Sequence, residues 1–526
     1  MEYDVLREPW IPVATLSGET RSVGIRDALA QAHELGTLHG ENPLVTFGVH
    51  RLLIAVLQDA LRPQDIDDLL DLQEAGQFDA DRLERYYASC RASQECFGLF
   101  DPHRPFLQTA FPKGMEPEPL SVASLFPELP SGNNHVFFNH VLERDGRADP
   151  AQALRALCAL PAFQMSFGRS RHTSVNGRPP RYFLCAGKSL FETLACSMVS
   201  VSMINNLPYD DPPPAWRDPN PTPEDQPILS VSLLHGLTAR PLRVQLCRAE
   251  DGMVDGVRMA RGYNYGNVPN WTDPHVAYAY HPINGRYPLP CIEGREAWRD
   301  MGTILTKEGR PRYLLHAGAQ PGVTSFVDCR VFGLVSERKT ALLMPVSWTE
   351  EGLPLYRSLL DDLQQTAFLR SCLEKMEEVN GKLAWVMGLT AAQLQTGKKD
   401  KKARGPYVFL ISQAQNAFLF MVRGFLMDSF VPLLQSNAAQ AAGWDVVCRD
   451  AWAKKMLSLS LDALRQVVSH LSQSALLLKW RALAENCLYA VVWDALKKGG
   501  FLPDDKAGKE RAKRKTARKG ARAASR

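Results

Sequence analysis

The chain has 526 residues, 45% of them hydrophobic, which is more than one compact core accommodates and points to at least two domains. With 22% charged residues and 9% aromatic ones it has the composition of an ordinary globular protein rather than a disordered one. The net charge of +4 is unevenly spread: Lys506 to Arg526 contains ten Lys/Arg against the single acid Glu510, so a basic tail follows a slightly acidic body.

The opening MEYDVLREPW has neither the basic nor the apolar region of a signal peptide, and no run approaches the roughly 18 apolar residues of a membrane helix. The expectation is a cytoplasmic protein with no membrane partner. Eleven cysteines, an odd number with no CxxC, read as small buried hydrophobes such as Cys158 and Cys196 rather than zinc ligands.

In chain order, Trp10 to Val13 reads as a short strand ending at a Ser17-Gly18 turn. Val49, Leu52, Leu53, Val56, Leu57, Ala60 and Leu61 then recur at helical spacing until Pro63. Residues 65 to 97 carry a more polar helical pattern, and 112 to 150 read as a long ordered loop rich in Pro, Gly and Asn. Helices are expected at 151–162 and 190–204, separated by the Gly-, Ser- and Arg-rich loop 166–180. The proline-rich stretch 208–227 is a surface connection. From Ile228 to about Val346 short β-like runs follow: 228–231, 243–246, 276–280, 331–334 and 342–344.

Beyond Leu353 long helical patterns dominate to residue 498. Phe418, Met421, Val422, Phe425, Leu426 and Val431 make one face, Leu457, Leu461, Leu464, Val467, Val468 and Leu471 a second, and Leu483, Cys487, Val491 and Leu496 a third. With the 359–389 segment these make about four helices able to bury their stripes as a bundle. The fold class is therefore α+β. A large mixed α/β N-terminal domain (1–355) precedes a C-terminal four-helix bundle (356–500) and a disordered basic tail (501–526).

Phosphate-loop, HExxH, GxSxG, GxGxxG and calcium-loop patterns are absent. The pairs His135/His140 and His275/His281 lack a completing Cys or carboxylate pattern, and Asp210-Asp211 and Asp361-Asp362 read as capping or solvated acids. No catalytic residue, metal site or cofactor is indicated. Basic segments point elsewhere. Arg169, Arg171, His172, Arg178 and Arg181 alternate with small residues that let backbone amides approach a phosphate. Arg258, Arg261 and Arg286 alternate with Tyr263, Tyr265, Trp271, Tyr278, Tyr280 and Tyr287, a mixture suited to base stacking or simply to strand packing. Lys398, Lys399, Lys401, Lys402 and Arg404 form either a solvated interhelix loop or a track for a DNA backbone.

An ordered set of motifs resembles the CasA family, the large subunit of the type I-E CRISPR Cascade surveillance complex. These are Leu6-Arg7-Glu8-Pro9-Trp10-Ile11-Pro12-Val13, then Phe97-Gly98-Leu99-Phe100-Asp101-Pro102-His103-Arg104-Pro105-Phe106-Leu107-Gln108, then Ser131-Gly132-Asn133-Asn134 with Phe137-Phe138-Asn139-His140, then Trp271-Thr272-Asp273-Pro274-His275. The resemblance implies a noncatalytic subunit that reads the protospacer-adjacent motif (PAM) in double-stranded target DNA, assists duplex opening and recruits a helicase-nuclease. The implied partners are crRNA and the other Cascade subunits. It also implies minor-groove reading by a glycine-containing loop at about Phe163 to Arg169, which holds Gly168, by a basic finger near Arg258 to Gly262 with Arg261 as its candidate, and by a wedge near Ser336 to Thr340, where Glu337, Arg338 and Lys339 stand; Arg171 follows the loop as a further candidate for DNA contact. Gly132, Asn133 and Asn134 become an assembly loop. This sequence keeps only Gly168 of the usual glycines, has Arg261 for a lysine, and has no glutamine at the wedge. Two other readings stay open on the residues alone: an enzyme assembled from His135, His140, Asp273 and His275, or a purely structural helical scaffold.

Overall fold

The computed structural model describes residues 3–92, 97–126, 146–165, 171–204, 207–218, 222–266, 268–283, 285–319, 326–339, 342–396, 408–436, 443–469, 471 and 475–502. The chain divides into two compact units, Met1–Asp361 and Asp362–Arg526.

The first unit is built around the helix Pro43–Leu61. Asn42 caps it, its side-chain oxygen accepting from the amides of Leu44 and Val45 at 3.0 Å each, and Pro43 stands at the first helical position, where its missing N–H is not needed. The helix is apolar on nearly every side and buried on nearly every side. The helix Pro150–Phe163 lies against it. That helix starts on a capping box in which Asp149 accepts from the Gln152 amide at 2.8 Å. The two backbones approach closely because residue 48 is glycine: a Cβ there would fall 2.5 Å from the Cys158 carbonyl oxygen.

Among the described residues the strands form four sheets. β1 (Ile11–Thr15) pairs with β2 (Thr20–Val23) and β3 (Leu35–Leu38). β4 (Leu120–Ser121), β6 (Leu242–Arg248) and β7 (Val254–Arg261) form a second antiparallel sheet, with Arg261 opposite Leu242 at its end. β5 (Tyr182–Cys185) pairs with β10 (Phe326–Lys339), which forms a long hairpin with β11 (Leu342–Tyr356). β5 reaches only as far as Phe332, so the hairpin continues to its Lys339–Leu342 end as a two-stranded arm. β8 (Tyr278–His281) and β9 (Gly285–Pro288) make a separate hairpin.

Several expectations shift here. The described part of the expected 65–97 pattern forms two helices, Ile66–Ala75 and Ala80–Ala92, because Gly76 (φ 70°) ends the first in the left-handed conformation. Residues 228–231 form no strand. They join the chain at a single parallel bridge, Pro227 to Asn264, and lead into the short helix Leu233–Leu237. The third expected strand begins at Tyr278 rather than Val276, and the 331–334 and 342–344 runs are fragments of the much longer β10–β11 hairpin.

Among the described residues the second unit has four long helical stretches: Leu363–Thr396, Phe409–Phe425 continuing through a π-helical turn (Leu426–Phe430) to Leu434, Trp444–Ser469 and Ala475–Lys498. Each packs on its neighbours to close a four-helix bundle. Asp362 opens the first by accepting from the amides of Gln364 and Gln365 at 2.9 Å each. The buried seam of the last helix runs through Ala484, Leu488, Val492 and Leu496: Leu496 lies in it as expected, whereas the other three stand one position beyond Leu483, Cys487 and Val491, and Leu483 is exposed. The third helix buries Trp452, Met456, Leu459, Ala463 and Val467, so Leu457 and Leu461 sit at the edge of its seam.

Pro43–Leu61 and Phe409–Leu434 are each long and apolar enough to cross a membrane. The first is 89% buried within its own unit, and the second presents one apolar face to the bundle.

Candidate nucleic-acid interface

The centre of the first unit is polar. Arg51, on the central helix, is fully buried and grips Asp273 through both terminal nitrogens, at 3.1 and 2.8 Å. Its remaining donors reach the carbonyls of Leu237 (3.0 Å) and Gly236 (3.1 Å). Burial alone would raise the Asp273 carboxyl, but the Arg51 charge and hydrogen bonds override it and hold the group below the usual carboxylate range. His275 donates its amide to Asp273 at 3.0 Å, and its Nε2 lies 3.0 Å from the Ser197 carbonyl. Burial drops the His275 imidazole to about 4, so it is neutral. The Trp-x-Asp-Pro-His segment is therefore an internal brace. The enzyme reading loses both of its described members: Asp273 is neutralised by Arg51, and neither it nor His275 reaches solvent.

The two motifs nearest the N-terminus are braces too. Trp10 is fully buried and donates to the Val5 carbonyl at 2.8 Å, while the Val5 amide donates to the Phe97 carbonyl at 3.0 Å, joining the first motif to the second. Gln108 donates to the Leu99 carbonyl and accepts from the Leu246 amide, each at 2.7 Å, fastening the second motif to β6.

This polar centre positions the first basic segment. Asn176 donates to Asp273 (2.8 Å) and Tyr182 (3.0 Å) and accepts from the Trp271 indole (2.7 Å). The loop around it is thus anchored to the buried ion pair. On one side of the anchor His172 Nε2 meets Asp225 Oδ1 at 2.6 Å, and Asp225 Oδ2 meets Arg261 Nη1 at 2.7 Å. On the other, Arg178 donates to the Ser336 hydroxyl at 3.0 Å and to its carbonyl. The loop, the end of β7 and the start of the β10 arm are therefore tied together within one unit.

Not every expected cation faces outward. Arg181 is buried against Asp300 (2.9 Å), and Arg178 is held by Ser336, so both are structural rather than phosphate-binding. Burial also lowers the pKa of Arg171, which lies at the start of the loop's described part. Of the aromatic residues, Tyr265, Trp271 and Tyr278 are core, whereas Tyr280 and Tyr287 are exposed on the β8–β9 hairpin. Arg286 stacks on Tyr278, 3.8 Å from the ring centre, and donates to Thr272 at 3.1 Å. Asp210, expected to cap or stand in solvent, pairs with Arg62 at 3.4 Å and Arg217 at 3.6 Å.

Gly168 and Arg169 lie outside the described residues, as do Gly132, Asn133, Asn134, His135, His140, Lys398, Lys399, Lys401, Lys402 and Arg404. The backbones of Arg338 and Lys339 occupy the distal end of the hairpin. Among the described residues no cluster of His, Cys, Asp and Glu is arranged to hold a metal ion. Sequence reasoning missed Asp225, whose only signal was its place among prolines, and Asn176, whose role depends on residues about a hundred positions away.

The first unit is thus built on a buried Arg51–Asp273 brace that anchors the loop carrying His172 and Arg178. The family model for CRISPR-associated protein Cse1 matches residues 4–463. A CasA/Cse1 protein of Thermus thermophilus is 30% identical over 508 residues, covering 92% of this chain and 96% of that one. The chain belongs to the CasA/Cse1 family. Its fold matches the crystal structure of Thermus thermophilus CasA with TM-score 0.74 at 24% identity, over 94% of this chain and 100% of that one. It also matches Cse1 from Acidimicrobium ferrooxidans (TM-score 0.69, 19% identity, 96% and 99% coverage). A chain of a CRISPR RNA-guided surveillance complex matches with TM-score 0.70 at 18% identity, over 93% and 99%.

Proposed function

We propose that this chain is the noncatalytic DNA-reading subunit of a cytoplasmic, crRNA-guided type I-E Cascade complex. It reads the PAM in duplex DNA, assists opening of the duplex and recruits a helicase-nuclease. One observation carries the reading: the arginine-bearing loop, Arg261 and the arm that ends in Arg338 and Lys339 are joined through His172–Asp225–Arg261 and Arg178–Ser336. Three segments far apart in sequence thereby bring cations to one unit, which suits a reader of a duplex entering a point of strand separation.

In this reading Arg261 enters the minor groove, where A·T and T·A are alike and discrimination rests partly on shape. Gly168, Arg169 and Arg171 flank it, and Arg338 with Lys339 meets the first opened pair. Lys398, Lys399, Lys401, Lys402 and Arg404 track the DNA backbone from the helical unit, and Gly132, Asn133 and Asn134 seat the chain among the other Cascade subunits and the crRNA. The test is Arg261→Ala in the assembled complex, with binding measured on duplexes with and without the PAM. The expected loss is about 1–3 kcal/mol, the scale of one good groove contact, and falls more heavily on the PAM-bearing duplex. Equal losses on both would make Arg261 a nonspecific phosphate contact and overturn its role as reader.

A further inference from the structure

We infer that Asp225 is a specificity residue for DNA binding at this edge: its carboxylate occupies Arg261 and His172 in the DNA-free chain and must be displaced by the correct duplex. The inference rests on the reading of the edge as a DNA-binding surface and adds how that surface rejects other DNA.

Each carboxylate oxygen takes one partner, Oδ1 the His172 ring at 2.6 Å and Oδ2 the Arg261 guanidinium at 2.7 Å. This is the arrangement a phosphate would make with the same two groups, since both anions present two oxygens to two donors. The partners are neither deeply buried nor fully free: Arg261 is 35% exposed, Asp225 41% and His172 20%. Water and DNA can reach the pair, so the carboxylate can be exchanged. The two partners together hold the Asp225 carboxyl below its usual range, so it remains an anion.

The backbone holds the acid where it is. Gln226 accepts from the Asn264 amide at 2.9 Å, and Ile228 donates to the Asn264 carbonyl at 3.1 Å, so the chain around Pro227 runs beside the segment that follows β7. Asp225 itself sits at φ 51°, a left-handed conformation that aspartate and asparagine tolerate better than most residues. A neighbouring ion pair is already engaged. Glu224 pairs with Arg243 at 2.8 Å, and Arg243 also donates to the Arg261 carbonyl at 2.9 Å. Glu224 could replace Asp225 only by breaking its own contact with Arg243.

A stray duplex offers only phosphates, which compete with Asp225 for the same cations and gain little. A duplex with the correct groove shape adds contacts that Asp225 does not make, and so wins the exchange. Removing the carboxylate charge should therefore help the wrong DNA more than the right one.

The experiment measures binding of the full-length chain to a short fluorescent duplex of arbitrary sequence, and to one bearing the PAM, across a salt series. Asp225→Asn keeps shape and backbone preference while removing the charge, and Asp225→Gly relieves the backbone as well. Thermal melting confirms that both variants fold. Both should bind the arbitrary duplex about three- to fivefold more tightly, the worth of one exposed ion pair. The salt slope should steepen by about 0.9, one further phosphate neutralised by Arg261. PAM preference should fall correspondingly, and the gain should vanish when Arg261→Ala is combined with either variant. If neither variant tightens binding while Arg261→Ala alone weakens it, the exchange is wrong and the DNA-reading edge stands. If none of the three changes binding, the edge does not meet DNA and both readings fall.

Discussion

At the residue scale, buried polar groups determine how the first unit responds to acid. His50 donates toward the Thr46 carbonyl at 2.7 Å, His235 meets the Tyr265 hydroxyl at 2.9 Å, and His275 meets Ser197. Burial is the leading cause in each case, pulling His50 and His235 to about 3 and His275 to about 4. An unfolded histidine titrates near 6.5, so the unfolded chain takes up protons that the native chain refuses. The native contribution is complete above about pH 6.5 and falls as pH drops toward the folded values of 3 to 4. Each histidine removes about 1.4 kcal/mol of stability per pH unit across that window. Urea unfolding at pH 7, 6 and 5 should show the midpoint falling with slope steepest below pH 6. His50→Gln, which keeps a donor to Thr46, should reduce that slope by about a third whatever it does to stability at pH 7. An unchanged slope would mean that His50 is protonated in the native state.

The residue scale is also where the sequence was least transparent. Asp273 and His275 are recognisable as a motif, yet nothing in Trp271–His275 tells that Arg51, on a helix more than two hundred residues earlier, is their counter-charge. A buried ion pair is written in two places in the chain and joined only by the fold. Breaking one half leaves an uncompensated charge in the core, so residues that look like chemistry are in fact structure. Arg178 and Arg181 illustrate the same trap: the spacing of cations on a loop is visible, but whether each turns to solvent or to Ser336 and Asp300 is not.

At the element scale, helices were far more legible than strands. The apolar recurrence from Val49 to Leu61 marks the central helix because its residues are local neighbours on one rod. The β10–β11 hairpin was seen only as two fragments, since its interior carries charged residues: Arg330 pairs with Glu350 at 2.6 Å across the strands, and a cross-strand pair has no sequence-local signature. In the bundle the helices were plain but the seam on Ala475–Lys498 was one residue off everywhere except Leu496, because Ala484 is as good a seam residue as Leu483 and less conspicuous. The arm is where the element scale meets function. Arg338 and Lys339 lie at its end, beyond the part of β10 that β5 supports. A two-stranded arm can be altered at its end without disturbing the paired root, so Arg338→Ala with Lys339→Ala should leave melting unchanged. If these cations stabilise splayed strands, the double variant should impair binding to an intact PAM-bearing duplex and be rescued by one already unpaired next to the PAM. Loss of binding to both targets alike would assign the two cations to general phosphate attraction.

At the scale of the whole molecule, charge is divided between body and tail. Lys506 to Arg526 carries ten cations and one acid on a chain whose total is only +4, so the remainder is net acidic. The body cannot attract DNA by overall charge; under the proposed reading it would rely on the local edge at Arg261, where Asp225 offsets the cation. The tail has the opposite character, with dense charge and almost no large apolar side chain to support shape-dependent recognition. Specific and nonspecific attraction should then be separable by truncation. Each phosphate neutralised releases counterions and contributes about 0.9 to the slope of log affinity against log salt. Deleting residues 503–526 should flatten the slope for duplex of arbitrary sequence by several such increments and slow association at low salt, because long-range attraction falls with the lost charge. The ratio of affinities for PAM-bearing and PAM-free duplex should stay constant, since both forms lose the same sequence-blind contribution. A truncated chain with an unchanged slope would show that the tail's cations never meet DNA, and a changed ratio would move part of the reading of sequence into the tail.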